Sequence, residues 1–533
     1  MRSALELLEA ELGQYATARR PASVKTVPAQ RLPSGRTSQK VLAMRRLLIP
    51  LLLATSLLGA CASVVNPVTG RSERSVMDEP TEIAEGKKAH QEVLKEYTVL
   101  DNAPVQAYVN DLGQRLAKQS HRAQLQWTFT VLDSPEVNAF ALPGGYVYVT
   151  RGIMAYMESE ADLAGVMGHE IGHVTARHGA QRATRQQTAG IGVVAATVLG
   201  AVLGIGDVAS QVSQSVAAGY IASYSRDQES QADQLGAEYL VRNHYDPKNM
   251  VEVIQVLKRQ EQFAADTAKA EGRSASGGND WLASHPSNDQ RLRDITTIAD
   301  TYAKDAAYAD EGRDRYLQAI AGMAFGESRA QGVTRGRSFY HEPLGIALKA
   351  PEGWKVQNSA EDITLVNAAG DAGLVVMLAP AKAGSTHEEI VRSVFKPTQG
   401  KFDRIELNGL KASRFTGTAT TKQGQARAVV ATVVDGPQNN HFVLLQASKD
   451  AAALQRNAAG MKEAEASFRA LTAADRAAAR PWTIKSVPFP RGGFTELAKQ
   501  SPLPQAEAQL KLINGVYGGG KDPAVGQRVK VVE

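Results

Sequence analysis

Beyond residue 80, apolar positions recur at helical spacing. Ile83, Val93 and Leu94, then Val105, Val109, Leu112 and Leu116, predict two helices broken at Asn102-Ala103-Pro104. The period then drops to two. Leu125, Trp127, Phe129 and Val131 alternate as a half-buried strand, and apolar runs at 137–142 and 146–150 flank Pro143-Gly144-Gly145 as a hairpin. A long helix follows over about 159–185, with further helices near 226–243 and 247–262. Residues 267–280, rich in Ala, Gly and Ser, predict a loop, after which helical spacing runs from Arg291 to about Ala330. Short strands then dominate, at 345–349, 363–366, 374–378, 404–407, 428–434 and 441–446, with helices near 386–395 and 451–471. That mixture predicts an α+β domain over about 337–475, followed by a third unit in the last fifty or so residues.

The 533 residues are 43% hydrophobic and 22% charged, which excludes a wholly disordered or collagen-like chain. The formal charge of +5 hints at nucleic-acid binding until its location is examined. Nine basic and three acidic residues fall in 1–60, so that segment carries +6 and the remainder −1. With the excess confined to a leader, no nucleic-acid partner is expected. From Met44 the chain reads MRRLLIPLLLATSLLGACAS: two arginines, a short apolar run, then small residues. This is the form of a secretory signal peptide over 44–60, preceded by a leader, 1–43, expected to be disordered. Leu58-Gly59-Ala60-Cys61 resembles a bacterial lipobox, which implies cleavage before Cys61 and lipidation of its thiol. Ala62 then implies the periplasmic face of the outer membrane, with 61–80 as a linker. As the single cysteine, Cys61 also excludes an intramolecular disulfide and a Cys-based metal site.

The chemistry concentrates in His169-Glu170-Ile171-Gly172-His173. Positions i and i+4 share a helix face, so both imidazoles can bind one zinc, leaving Glu170 beside the open coordination position. A third ligand is required. The extended motif with a later histidine fails, because Ala176 and Gly179 occupy its positions and His178 has the wrong phase. A glutamate from a later helix is the other standard solution, and Glu229 and Asp233 stand i and i+4 in Ser225-Arg226-Asp227-Gln228-Glu229-Ser230-Gln231-Ala232-Asp233. Glu229 is the expected ligand, and Asp233 the group that holds a ligand histidine's distal N–H. The expected cofactor is one zinc ion per chain.

With Arg177-His178 behind the first motif and Glu229-x-x-Ala-Asp233 after it, the chain resembles metallopeptidase family forty-eight, the HtpX, CAAX prenyl protease and BepA-like zinc peptidases. Asn138-Ala139-Phe140-Ala141, Gly144-Gly145 and His285-Pro286-x-x-x-x-Arg291 extend the match over about 75–335. The resemblance implies a mainly helical α+β zincin-type (gluzincin) protease domain with a small sheet, over 81–335. The several long spanning helices of the prenyl protease and HtpX are lacking, which favours the exported, BepA-like branch, although no tetratricopeptide period follows. The resemblance also places His285 beside the metal, as an oxyanion stabiliser or a fourth ligand, while a turn histidine before Pro286 is the plain alternative. Asn138 either clamps substrate backbone or caps the hairpin, whose edge strand could receive an extended chain. The uncharged run 186–206 reads as a lid, a membrane-dipping element or a core helix.

Residues 337–475 show no metal cluster by spacing and loosely resemble PsbP or Mog1 domains. Pro481-Trp482-Thr483-Ile484 and the residues after it resemble a degenerate LysM module over 480–533, which implies peptidoglycan as a further partner. The expected function is zinc-dependent endoproteolysis of misfolded or unassembled envelope proteins, on a chain held to the membrane through Cys61. The alternatives are an outer-membrane protein assembly scaffold with little proteolysis and a peptidoglycan-binding lipoprotein.

Overall fold

The computed structural model describes residues 62–186, 224–270, 285, 289–302, 308, 311–359, 362–420 and 426–533. The leader, the signal-like run, Cys61 and all of 186–206 except Gln186 lie outside them. The chain forms two compact units: the described residues up to Gly326 join Trp482–Glu533 in one, and Glu327–Pro481 makes the other.

The first unit opens with a hairpin, β1 (Ala62–Val65) against β2 (Ser72–Ser75), inside the expected linker. Helix α1 (Glu79–Glu96) starts where the Asp78 side chain accepts the Thr81 N–H, and α2 (Ala103–Lys118) where Asn102 accepts that of Val105. A three-stranded sheet follows, from β3 (Thr128–Leu132), β4 (Ala139–Leu142) and β5 (Tyr146–Thr150). Central β5 runs parallel to β3 and antiparallel to β4, which leaves β4 as an edge. Alternation splits the side chains. Phe140, Leu142 and Tyr148 meet Ala89 and Val93 of α1, while Ala139, Ala141, Val147 and Val149 enter the main core. The hairpin turn needs Gly144 and Gly145, at φ 83° and 100°.

Helix α3 (Arg151–Tyr156) leads into α4 (Glu160–Thr175), every residue of which is buried. Helix α5 (Arg226–Arg242) begins with a Ser225/Gln228 capping box. It crosses α4 at small residues, where a methyl group on Gly172 would stand 3.1 Å from the Ala232 carbonyl oxygen. Helix α6 (Lys248–Ala270) outlasts its expected end, and α7 (Asp289–Tyr302), α8 (Arg313–Ala319) and β6 (Ala324–Phe325) follow. The single helical run expected from 291 to 330 is thus broken, because Gly312, Gly322 and Gly326 take φ of 68°, 81° and 72°.

In the second unit, β7 (Val333–Arg335), β8 (Ser338–His341) and β9 (Ile346–Lys349) belong to a small sheet that the later β17 (Arg469–Ala470) completes. The larger sheet is antiparallel throughout, in the order β10-β11-β12-β16-β15-β14-β13. Its strands are β10 (Lys355–Asn358), β11 (Asp362–Val366), β12 (Ala372–Leu378), β13 (Pro397–Leu407), β14 (Leu410–Thr420), β15 (Ala426–Asp435) and β16 (His441–Ser448). Helix α9 (His387–Phe395) covers one face through Ile390, Val391 and Phe395, and α10 (Ala451–Ala466) lies on the other beside Phe442 and Phe468.

The chain then returns to the first unit as β18 (Trp482–Pro488), α11 (Gly493–Ala498), α12 (Ala506–Ile513) and β19 (Arg528–Val532), with β18 between β19 and β6. Residues 480–533 were expected to stand apart. Instead Ile484, Phe494, Leu510, Ile513 and Val529 share one core with Met154, Met157 and Tyr316. A segment of this size buries too little apolar surface alone, and joining a larger core supplies the rest. Buried Lys530 adds polar anchoring, its Nζ donating to the carbonyls of Ala155 at 3.0 Å and Met157 at 2.6 Å. Among the described residues no helix is long and apolar enough to cross a membrane.

Candidate metal centre

Helix α4 presents His169 and His173 one turn apart, and α5 brings Glu229 against them. The two Nε2 atoms lie 2.9 Å apart, with Glu229 carboxylate oxygens 3.6 Å from His169 Nε2 and 3.5 Å from His173 Nε2. His285 closes the group, its Nδ1 3.2 Å from His169 Nε2 and 3.0 Å from Glu229 Oε1. One donor atom from each of the four lies within 4.8 Å of all the others, and all four residues are buried. Glu170 faces the same group, its Oε1 3.5 Å from His285 Nε2.

The surrounding hydrogen bonds dictate which nitrogens carry protons. His169 Nδ1 lies 2.9 Å from Asp233 Oδ1, so its proton sits there and Nε2 keeps a lone pair. Burial pushes the Asp233 carboxyl up, but the Arg291 guanidinium, bonded to both its oxygens at 2.6 and 2.8 Å, holds it well below the usual range. Arg291 also donates to the His285 carbonyl at 3.0 Å and stands 3.0 Å from Glu229 Oε2. On the other side, His178 Nε2 donates to Gln231 Oε1 at 3.0 Å, and its Nδ1 meets His173 Nδ1 at 2.9 Å. Burial lowers His178 to about 4 and His173 well below its usual value, so both rings are neutral at pH 7. His178 Nδ1 must then accept the His173 Nδ1 proton, which leaves the second Nε2 with its lone pair.

Two bare imidazole lone pairs 2.9 Å apart repel, and a carboxylate beside them adds negative charge. A cation resolves both. The donor set of two or three imidazoles and one carboxylate suits a divalent metal, so His169, His173 and Glu229 fit the ion, with His285 able to complete the set.

The backbone explains how His178 arrives there. At the end of α4, Arg177 adopts a left-handed φ of 61°, held by Glu82 Oε2 at 2.7 Å and the Met77 carbonyl at 2.8 Å. That bend returns His178 to His173. Tyr224 stacks on the His173 ring at 3.9 Å, with the Arg182 guanidinium 4.9 Å from the Tyr224 ring centre. Sequence spacing assigned no role to His178, Gln231, Arg291 or Tyr224, although the i, i+2 offset of Gln231 from Glu229 placed it on the right helix. Asn138 lies immediately before β4. Its N–H donates to Thr150 Oγ1 at 3.1 Å, and its buried Oδ1 has no hydrogen-bond partner among the described residues.

Fold and site together define a domain of the metallopeptidase class, with a helix-borne histidine pair and a glutamate from a second helix. Residues 104–299 match the model of peptidase family M48. Among similar proteins, the beta-barrel assembly-enhancing protease of Yersinia pestis is 30% identical over 199 residues, 36% of this chain and 38% of that one. The mitochondrial metalloendopeptidase OMA1 of Schizosaccharomyces pombe is 28% identical over 235 residues, 43% of this chain and 64% of that one. The chain thus spans less than half the length of its bacterial relative. A solved cyanobacterial PsbP from Synechocystis matches 27% of the chain at 12% identity and a TM-score of 0.20, too slight a likeness to carry an argument.

Proposed function

We propose that this chain is a gluzincin-type zinc endopeptidase that hydrolyses misfolded or unassembled envelope proteins. The observation that carries the reading is the buried convergence of His169, His173 and Glu229 with Glu170 beside them. A zinc ion held by those three ligands would acidify water and polarise the scissile carbonyl. Glu170 then accepts the water proton and passes it to the leaving amine. His285 either donates to the developing oxyanion or occupies the fourth ligand position at rest, and its 3.0–3.2 Å contacts support the second role. Asp233, Arg291, His178 and Gln231 keep the ligand rings oriented.

Edge strand β4 offers backbone groups to an extended substrate, and the unpartnered Asn138 Oδ1 just before it supports a part in holding substrate backbone. The lipobox at Cys61 supports attachment to the outer membrane on its periplasmic face, in keeping with relatives named for beta-barrel assembly. The strand–helix–helix–strand order of Trp482–Val532 supports a LysM-like reading of that segment, with peptidoglycan as its candidate partner.

Metal analysis combined with casein cleavage tests the proposal. Wild type is expected to hold zinc and cleave, and Glu170→Gln to hold zinc while cleaving about 10²–10⁴-fold more slowly. If both proteins bind zinc and leave casein equally intact, proteolysis fails and the scaffold reading takes its place.

A further inference from the structure

In the second unit, three chemistry-bearing side chains distant in sequence meet at one corner. His387 is the first residue of α9, Asp435 the last of β15 and His441 the first of β16, where Asp435 and His441 are cross-strand neighbours. His387 Nε2 lies 2.8 Å from Asp435 Oδ1, and His441 Nδ1 lies 3.0 Å from that same oxygen. One donor atom from each residue falls within 4.8 Å of the other two.

We propose that His387, Asp435 and His441 bind one divalent transition-metal cation, of which zinc is the representative, independently of the candidate catalytic centre. Three features carry this. The donors are two imidazoles and a carboxylate, a set that suits borderline divalent metals. Donors held about 2.0–2.2 Å from a shared ion stand roughly 3 Å from each other, and the Asp435 oxygen lies 2.8 and 3.0 Å from the two ring nitrogens. The third concerns His441. Its Nδ1 is buried and lies 3.0 Å from the Asp435 oxygen, so both side chains bring a donor atom to the same point. His387 has the supporting contact of a ligand: its Nδ1 meets Ser413 Oγ at 2.8 Å, which leaves Nε2 directed at the site. The half-exposed setting leaves room for water in the remaining coordination positions, and a bound ion would clamp the start of α9 to the end of the β15–β16 hairpin.

The full chain tests this directly. Wild type, Asp435→Asn and His441→Gln are equilibrated with zinc, freed of excess and assayed for metal per chain by mass spectrometry, with casein cleavage measured on the same samples. Each variant is expected to carry about one zinc fewer than wild type, with cleavage unchanged. The prediction is a difference, so it holds whether or not the catalytic centre is loaded. His441→Gln keeps the side-chain size and decides the matter if Asp435→Asn loses its folded circular dichroism. A folded His441→Gln with the wild-type zinc count overturns the site.

Discussion

The two histidine–carboxylate clusters differ less in their donors than in what stands behind them. In the first unit, each ligand ring is held by a second layer. Asp233 and Arg291 lie behind His169, and His178 and Gln231 behind His173, all buried except the part-buried Gln231. In the second unit Ser413 stands behind His387 as its one such contact among the described residues, and the Asp435 side chain is 42% exposed. A buried, fully supported ligand set can present a reactive group such as Glu170 in one orientation, whereas a half-exposed set can do little more than bind. The contrast therefore separates a centre built for chemistry from one built to clamp.

The largest effect expected from breaking this contrast is at Asp233. Asp233→Asn keeps all four candidate ligands but weakens the hold on the His169 Nδ1 proton and leaves Arg291 with one carboxylate less. Zinc affinity at the first site, measured by competition with a chromophoric chelator, should fall about 10–100-fold. Ser413→Ala, the equivalent change in the second unit, should weaken zinc there by less than about tenfold, since solvent can replace the hydroxyl. Equal losses at both sites would erase the distinction.

A smaller effect separates the carboxylates of the two units. Asp162, buried and bonded to neutral Asn249 at 2.8 Å, is raised to about 6 by burial, whereas a hydrogen bond from Arg469 holds Asp475 well below its usual range. The signs oppose. The folded first unit binds the Asp162 proton more tightly than the unfolded chain does, so this contribution is complete below about pH 4 and is lost as pH rises toward 6. The Asp475 contribution is present above pH 4 and is lost as pH falls below it. Thermal unfolding of Asp162→Asn against wild type should therefore show a deficit that shrinks between pH 4 and 6. For Asp475→Asn the deficit should grow from pH 2 to 5.

Sequence periodicity carried much of the first unit because the relevant residues are local. His169 with His173, and Glu229 with Asp233, are i, i+4 pairs, and helical geometry alone puts each pair on one face. His178 was not legible in that way, since its contact depends on the left-handed Arg177, whose cause is the distant Glu82. In the second unit the β13–β14 hairpin was largely missed because most of its β13 positions are exposed and alternate weakly. His387, Asp435 and His441 show no local spacing and meet only through sheet pairing. The C-terminal segment misled for another reason. The apolar pattern of Ile484, Leu510, Ile513 and Val529 is the same whether it packs on itself or on a larger core.

Anomalous diffraction at the zinc edge, on crystals of the full chain, tests the central claim most directly. The predicted result is a peak about 2.0–2.2 Å from His169 Nε2, His173 Nε2 and a Glu229 carboxylate oxygen, with Glu170 beside the ion but outside its ligands. Zinc-loaded crystals with no peak among those three residues, or with Glu170 as a ligand in place of Glu229, would contradict it.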